Sequence, residues 1–142
     1  MDTNSIISVI AKIREKVNLF IEKELQARSI EGVLPAHGPV LHFLFRQTAP
    51  VPIKNVVEDV GRVKSTVTGI LNTLERYGYI LKMPDNIDSR ITLVALSDTG
   101  RALQKDFHEI SMKLLDTVYG DMPAGDRNSL MTQLLTIESN MT

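Results

Sequence analysis

Two short stretches, Lys64-Ser65-Thr66-Val67-Thr68-Gly69 and Asp88-Ser89-Arg90, concentrate the side-chain chemistry of this chain. The first sets an ammonium group, three hydroxyls and a glycine in sequence. Hydroxyls reach phosphate oxygens and base edges, and a threonine methyl packs on a thymine methyl. The second places a carboxylate two residues from a guanidinium, so that the acid can hold a long arginine in place before a partner arrives. The chemistry on offer is recognition rather than bond breaking. No Gly-rich phosphate loop, nucleophile motif or HExxH occurs, so the chain is not expected to be an enzyme.

The histidines are His37, His42 and His108, and the first two are five residues apart, which is not a helical metal pair. There is no cysteine, which excludes disulfides, thiolate zinc sites and thiol redox sensing. No metal and no cofactor are expected. The 142 residues, 43% of them apolar, suffice for one domain or a compact body with an attached module. The apolar runs are too short to span a membrane, and MDTNSIISVI does not resemble a secretory signal. A cytoplasmic protein fits. Net charge is −1, but the stretch from Gly61 to Lys82 holds Arg62, Lys64, Arg76 and Lys82 against Glu75 alone. A basic island on an acidic body suits a nucleic-acid surface.

The periodicity says what must carry these residues. Ile6, Ile10, Ile13, Val17, Phe20 or Ile21, and Leu25 predict a long amphipathic helix over about residues 3–29. A second helix starts near Gly38, because Pro39 fits only a first turn, and runs to about Gln47. Ile53 to Val60 reads as a short helix with Val56, Val57 and Val60 inward. Val63, Val67, Ile70, Leu71 and Leu74 then form a helical stripe, which overrides the strand propensity of Thr66-Val67-Thr68. Gly78 caps that helix. Tyr79–Met83 and Ile91–Leu96 read as the two strands of one hairpin. Ser97 caps a helix over about 97–119, and a last helix over about 124–140 carries Leu130, Leu134, Ile137 and Met141. The predicted fold class is mainly α with a small β-hairpin wing, a winged helix-turn-helix. Its third helix would offer Lys64, Ser65, Thr66, Thr68 and Asn72 to a major groove.

The order Lys64-Ser65-Thr66-Val67-Thr68, Leu74-Glu75-Arg76-Tyr77-Gly78-Tyr79-Ile80, Asp88-Ser89-Arg90 and Leu96-Ser97-Asp98-Thr99-Gly100 resembles the multiple-antibiotic-resistance regulator (MarR) family. His37-Gly38 also looks like a variant of the start of that family's second helix. The resemblance implies a homodimeric regulator of transcription, usually a repressor, on double-stranded DNA with a pseudo-palindromic operator. It implies residues 1–35 as an N-terminal dimerisation helix, 36–96 as the DNA-binding lobe and 97–142 as C-terminal dimerisation helices. It assigns Ser65, Thr66 and Thr68 to the major groove with Lys64 and Asn72 supporting, and Arg90, held by Asp88, to the minor groove or nearby phosphates. It also suggests a small aromatic effector against Ile13, Val17, Phe20, Leu41, His42 and Phe45, with Lys12, Lys16 or His42 as polar partner. Val63 stands where relatives carry a small polar cap, and Gly69 where many carry a basic residue. The rival to a DNA reader is a helical protein-interaction module that keeps the winged-helix shape.

Overall fold

The computed structural model describes all 142 residues. Six helices and three strands follow one another: α1 (Ile6–Ala27), α2 (Gly38–Phe45), β1 (Val51–Pro52), α3 (Ile53–Val60), α4 (Lys64–Arg76), β2 (Ile80–Pro84), β3 (Thr92–Leu96), α5 (Asp98–Tyr119) and α6 (Ala124–Asn140). The architecture is the predicted one, mainly helical with a small antiparallel sheet. The expected two-stranded hairpin, however, has three strands. β3 lies between β2 and β1, with Val51 opposite Val94 and Pro52 opposite Leu93. A two-residue strand containing proline carries no alternation to read, and an edge position is where a residue without an N–H is tolerated.

The chain divides into two compact units, residues 1–110 and 111–142. In the first, Val40, Leu41, Leu44, Val56, Val67, Leu71, Leu74, Ile80 and Val94 are essentially sealed from water. They come from α2, α3, α4, β2 and β3, so the lobe closes around its own core. Leu25 adds the C-terminal end of α1, and Leu103, Phe107 and Ile110 add the first half of α5. Val63 departs from the predicted stripe. It is exposed and precedes the helix as its N-cap residue.

Both α1 and α4 end in a Schellman motif. After α4, Gly78 adopts φ +81° and donates to Glu75 O at 2.9 Å, while Tyr79 N–H donates to Leu74 O at 2.9 Å. After α1, Ser29 takes the same role at φ 56°, a conformation a serine adopts only under constraint. Beside it, Arg28 donates to Asp106 at 3.1 Å and to Glu109 at 2.7 Å, tying the end of α1 to α5. Ser97 caps α5 as predicted: its Oγ accepts Gly100 N–H at 3.0 Å and donates to Gly78 O. Gly100 itself has no room for a side chain, because a Cβ there would lie 1.9 Å from the Tyr79 carbonyl oxygen.

In the second unit Arg127 folds back on the turn before α6. Its Nε donates to Met122 O at 2.8 Å, and its guanidinium sits 4.7 Å from the Tyr119 ring centroid. No residue of α6 is buried.

Candidate nucleic-acid interface

Helix α4 is built to face in two directions. Val67, Ile70, Leu71 and Leu74 hold its inner side in the core. Lys64, Ser65, Gly69 and Asn72 are exposed on the other side, with Thr66 and Thr68 half-buried at its edges. Val63 supplies no side-chain cap, so the first-turn N–H groups lack a side-chain acceptor. An uncapped N-terminus beside three hydroxyls is a surface for anionic oxygen. Gly69 has open space where its Cβ would be, with nothing within 4 Å. Nothing inside the fold explains a glycine there.

The wing brings its arginine to the same surface. Arg90 is 89% exposed at its side chain, and Asp88 grips it with both oxygens, at 3.0 Å to Nε and 2.9 Å to Nη2. The Arg90 hydrogen bond pulls the Asp88 carboxyl below the ordinary range, and the carboxylate raises the guanidinium in turn. Lys64, Thr68 and Arg90 converge on one cleft of about 610 Å³, whose apolar wall is Ile53, Val57 and Ile91. Asn72 sits apart from that cleft. Its side-chain oxygen accepts from Lys82, whose ammonium also lies 3.6 Å from Glu75, so part of the basic island is neutralised internally.

The residues read from the sequence as an effector pocket are less uniform. Ile13 is exposed, Val17 and Phe20 are half-buried, and Leu41 and Phe45 belong to the core. His42 stands edge-on to Phe45 and Phe107, with ring centroids at 6.0 and 5.8 Å, and desolvation followed by the nearby Arg46 charge lowers its pKa. A separate cavity of about 170 Å³ opens on α1 between Arg14, Asn18, Pro39 and Arg62. Sequence reasoning did not find it, because Arg14 and Arg62 are far apart in the chain and neither belongs to a motif.

Sequence reasoning also missed Gly100, Arg28 and Arg101. Arg101 donates to Phe45 O at 2.8 Å and Gln47 O at 3.1 Å, fastening the end of α2. The glycine in Leu96-Ser97-Asp98-Thr99-Gly100 was quoted only as part of a motif, and its reason is the close Tyr79 carbonyl.

This arrangement defines a class, a winged helix that presents its third helix and its wing on one side. Residues 36–100 match the family model described as a winged helix DNA-binding domain. The chain is 26% identical over 106 residues to YwhA of Bacillus subtilis, described as an uncharacterized HTH-type transcriptional regulator, covering 71% of this chain and 76% of that one. Its fold is similar to that of Staphylococcus aureus MepR in a DNA complex, with TM-score 0.85, 18% identity, and 95% and 97% of the two chains covered. It is similar also to Streptomyces coelicolor PcaV in complex with its natural ligand, with TM-score 0.83, 17% identity, and 100% and 98% covered. The chain thus carries a winged helix DNA-binding domain over residues 36–100, and its fold as a whole is the one seen in those two structures. No helix is long and apolar enough to cross a membrane.

Proposed function

We propose that the protein binds double-stranded DNA as a homodimer at a pseudo-palindromic operator and represses transcription by occupying it. One observation carries this reading: Lys64 and Thr68 on α4 and the pre-held Arg90 on the wing line a single cleft. Ser65 and Thr66 add hydroxyls and first-turn N–H groups to the major-groove face, and Asn72 supports it. Arg90 reaches the minor groove or phosphates beside it, where negative potential is enhanced. MepR in its DNA complex lends the docking by analogy.

Exposed Ile6, Ile7, Ile10 and Ile13 on α1, and Met131, Leu134 and Leu135 on α6, support dimerisation through the chain ends. The assignment of residues 1–35 and 97–142 to dimerisation and 36–96 to reading is part of the same proposal. So is release by a small aromatic effector against Ile13, Val17, Phe20, Leu41, His42 and Phe45, for which ligand-bound PcaV is the precedent. Leu41 and Phe45 are buried, so such an effector reaches them only if the side chains around them move. A protein that acts on operators works in the cytoplasm.

Selection of the purified protein on a randomised duplex pool tests the reading. Enrichment of half-sites about one helical turn apart is expected. With about six phosphates contacted per dimer, log K falls against log salt with a slope near −5. Charge reversal at Lys64 and Arg90 should abolish binding and leave the fold and pairing intact. No enrichment at low salt, or a flat salt dependence, would favour the interaction module instead.

A further inference from the structure

The wing tip is a closed loop that holds out a bare apolar side chain. Asp85 N–H donates to Ile91 O at 2.9 Å, Ile91 N–H to Asp88 O at 3.0 Å, and Asp88 N–H to the Asp85 carboxylate at 3.2 Å. Asp88 then accepts from the backbone N–H of Arg90 at 3.1 Å as well as from its guanidinium. The polar groups that shape the tip are thus engaged within it. Ile87 stands between them and is 97% exposed, the most open large apolar residue after Met1. A scattered exposed isoleucine is ordinary. One at the apex of a hydrogen-bonded loop, next to Asp88 and three residues from the arginine that Asp88 grips, is a placed feature.

We propose that Ile87 is a minor-groove contact that packs against the sugar walls and base edges beside the point where Arg90 enters. The inference rests on the DNA-reading proposal above and adds an apolar, charge-independent component to it. The occupant follows from the charge around the residue. Arg90 projects from the same loop with its guanidinium open to solvent, and it aims an anionic partner at the tip. A protein partner with an apolar socket would need other apolar surface around Ile87, and its neighbours Asn86, Asp88 and Ser89 are polar. The minor groove of A·T-rich DNA matches instead: narrow, strongly negative, and lined by sugar edges that take aliphatic wedges. Because the loop is already ordered, little conformational freedom is lost when it docks.

The test is a titration of the selected duplex with the full-length protein, Ile87→Ala, Ile87→Leu and Arg90→Ala, each over a range of salt. Ile87→Ala should weaken binding by about tenfold per dimer, from the lost burial of its methyl and methylene groups. It should leave the thermal midpoint and the salt slope unchanged, and Ile87→Leu should restore most of the affinity. Arg90→Ala should make the slope shallower by about 2 per dimer. Replacing adenine by 2,6-diaminopurine under the wing adds an amino group to the minor-groove floor and leaves the major groove alone. It should weaken the unaltered protein and have little effect on Ile87→Ala. Equal affinity of Ile87→Ala and the unaltered protein would overturn the inference while DNA reading stands. So would a slope change in Ile87→Ala like that of Arg90→Ala, which would mean that Ile87 acts only through the arginine. Failure of the unaltered protein to bind any duplex would remove both readings.

Discussion

Helices α4 and α6 carry apolar residues at similar spacing and use them in opposite ways. α4 has 13 residues and buries Val67, Ile70, Leu71 and Leu74. α6 has 17 and buries none, leaving Met131, Leu134 and Leu135 substantially in the open. The difference separates a lobe that is complete within one chain from a helix that is not. Around α4, α2 and α3 and the sheet enclose the apolar face, and the outer face is polar and exposed. Within its own unit α6 has no such enclosure, and the second copy of the chain proposed above would supply it. Hydrophobic periodicity tells which face of a helix is apolar, and it is silent on whose surface covers it.

The largest expected effect tests the closed half of that contrast. Leu71 is fully buried at the centre of the lobe. Leu71→Ala should cost about 2–5 kcal/mol of unfolding free energy, from lost transfer and an unfilled cavity. Urea denaturation measures it. A loss below about 1 kcal/mol would mean that the lobe core is loose and collapses around the gap.

The open half gives the next effect. Ile7 and Leu135 are 70% and 55% exposed, so acidic replacements break no core contact within the chain. Ile7→Glu with Leu135→Glu should shift the sedimentation of the protein from dimer to monomer, at a cost of at least about 2 kcal/mol in association. The circular dichroism of the helices should be kept. An unaltered dimer would place the interface elsewhere and take the end-helix assignment with it.

The same contrast explains what the sequence disclosed. The stripe of α4, the Gly78 cap, the Ser97 cap and the start of α2 at Gly38 were legible because each rests on local chemistry: a period, a turn conformation, a hydroxyl acceptor, a proline in a first turn. Strand β1 was not, since its meaning lies in pairing with Val94 and Leu93 some forty residues away. Nor was the reason for Gly100, which is a carbonyl on another element. Val63 misled the stripe because a helix period continues through a cap residue that the backbone has already turned outward. At the interface the pairing of Asp88 with Arg90 was legible at a spacing of two, whereas the capture of Asn72 by Lys82 joins α4 to β2 and has no local sign.

Gly69 gives the smallest effect and the sharpest one, because it sets the two faces of α4 against each other. Its Cβ would meet nothing within 4 Å beyond the helix's own backbone, and the side-chain hydrogen bond at this position, Thr73 Oγ1 donating to its carbonyl at 3.1 Å, is one that alanine preserves. For the fold alone, alanine is the better residue, by about 1 kcal/mol in a helix interior. Gly69→Ala should therefore stabilise the lobe by roughly that amount. If the glycine is there to let the helix backbone lie close to DNA, the same substitution should weaken operator binding by about 1 kcal/mol, a factor of about five. Stability rising while affinity falls would show that the helix gives up propensity for the surface it presents. Stability rising with affinity unchanged would leave Gly69 without a role at the interface, and the groove contact would then rest on the side chains of Ser65, Thr66 and Thr68 alone.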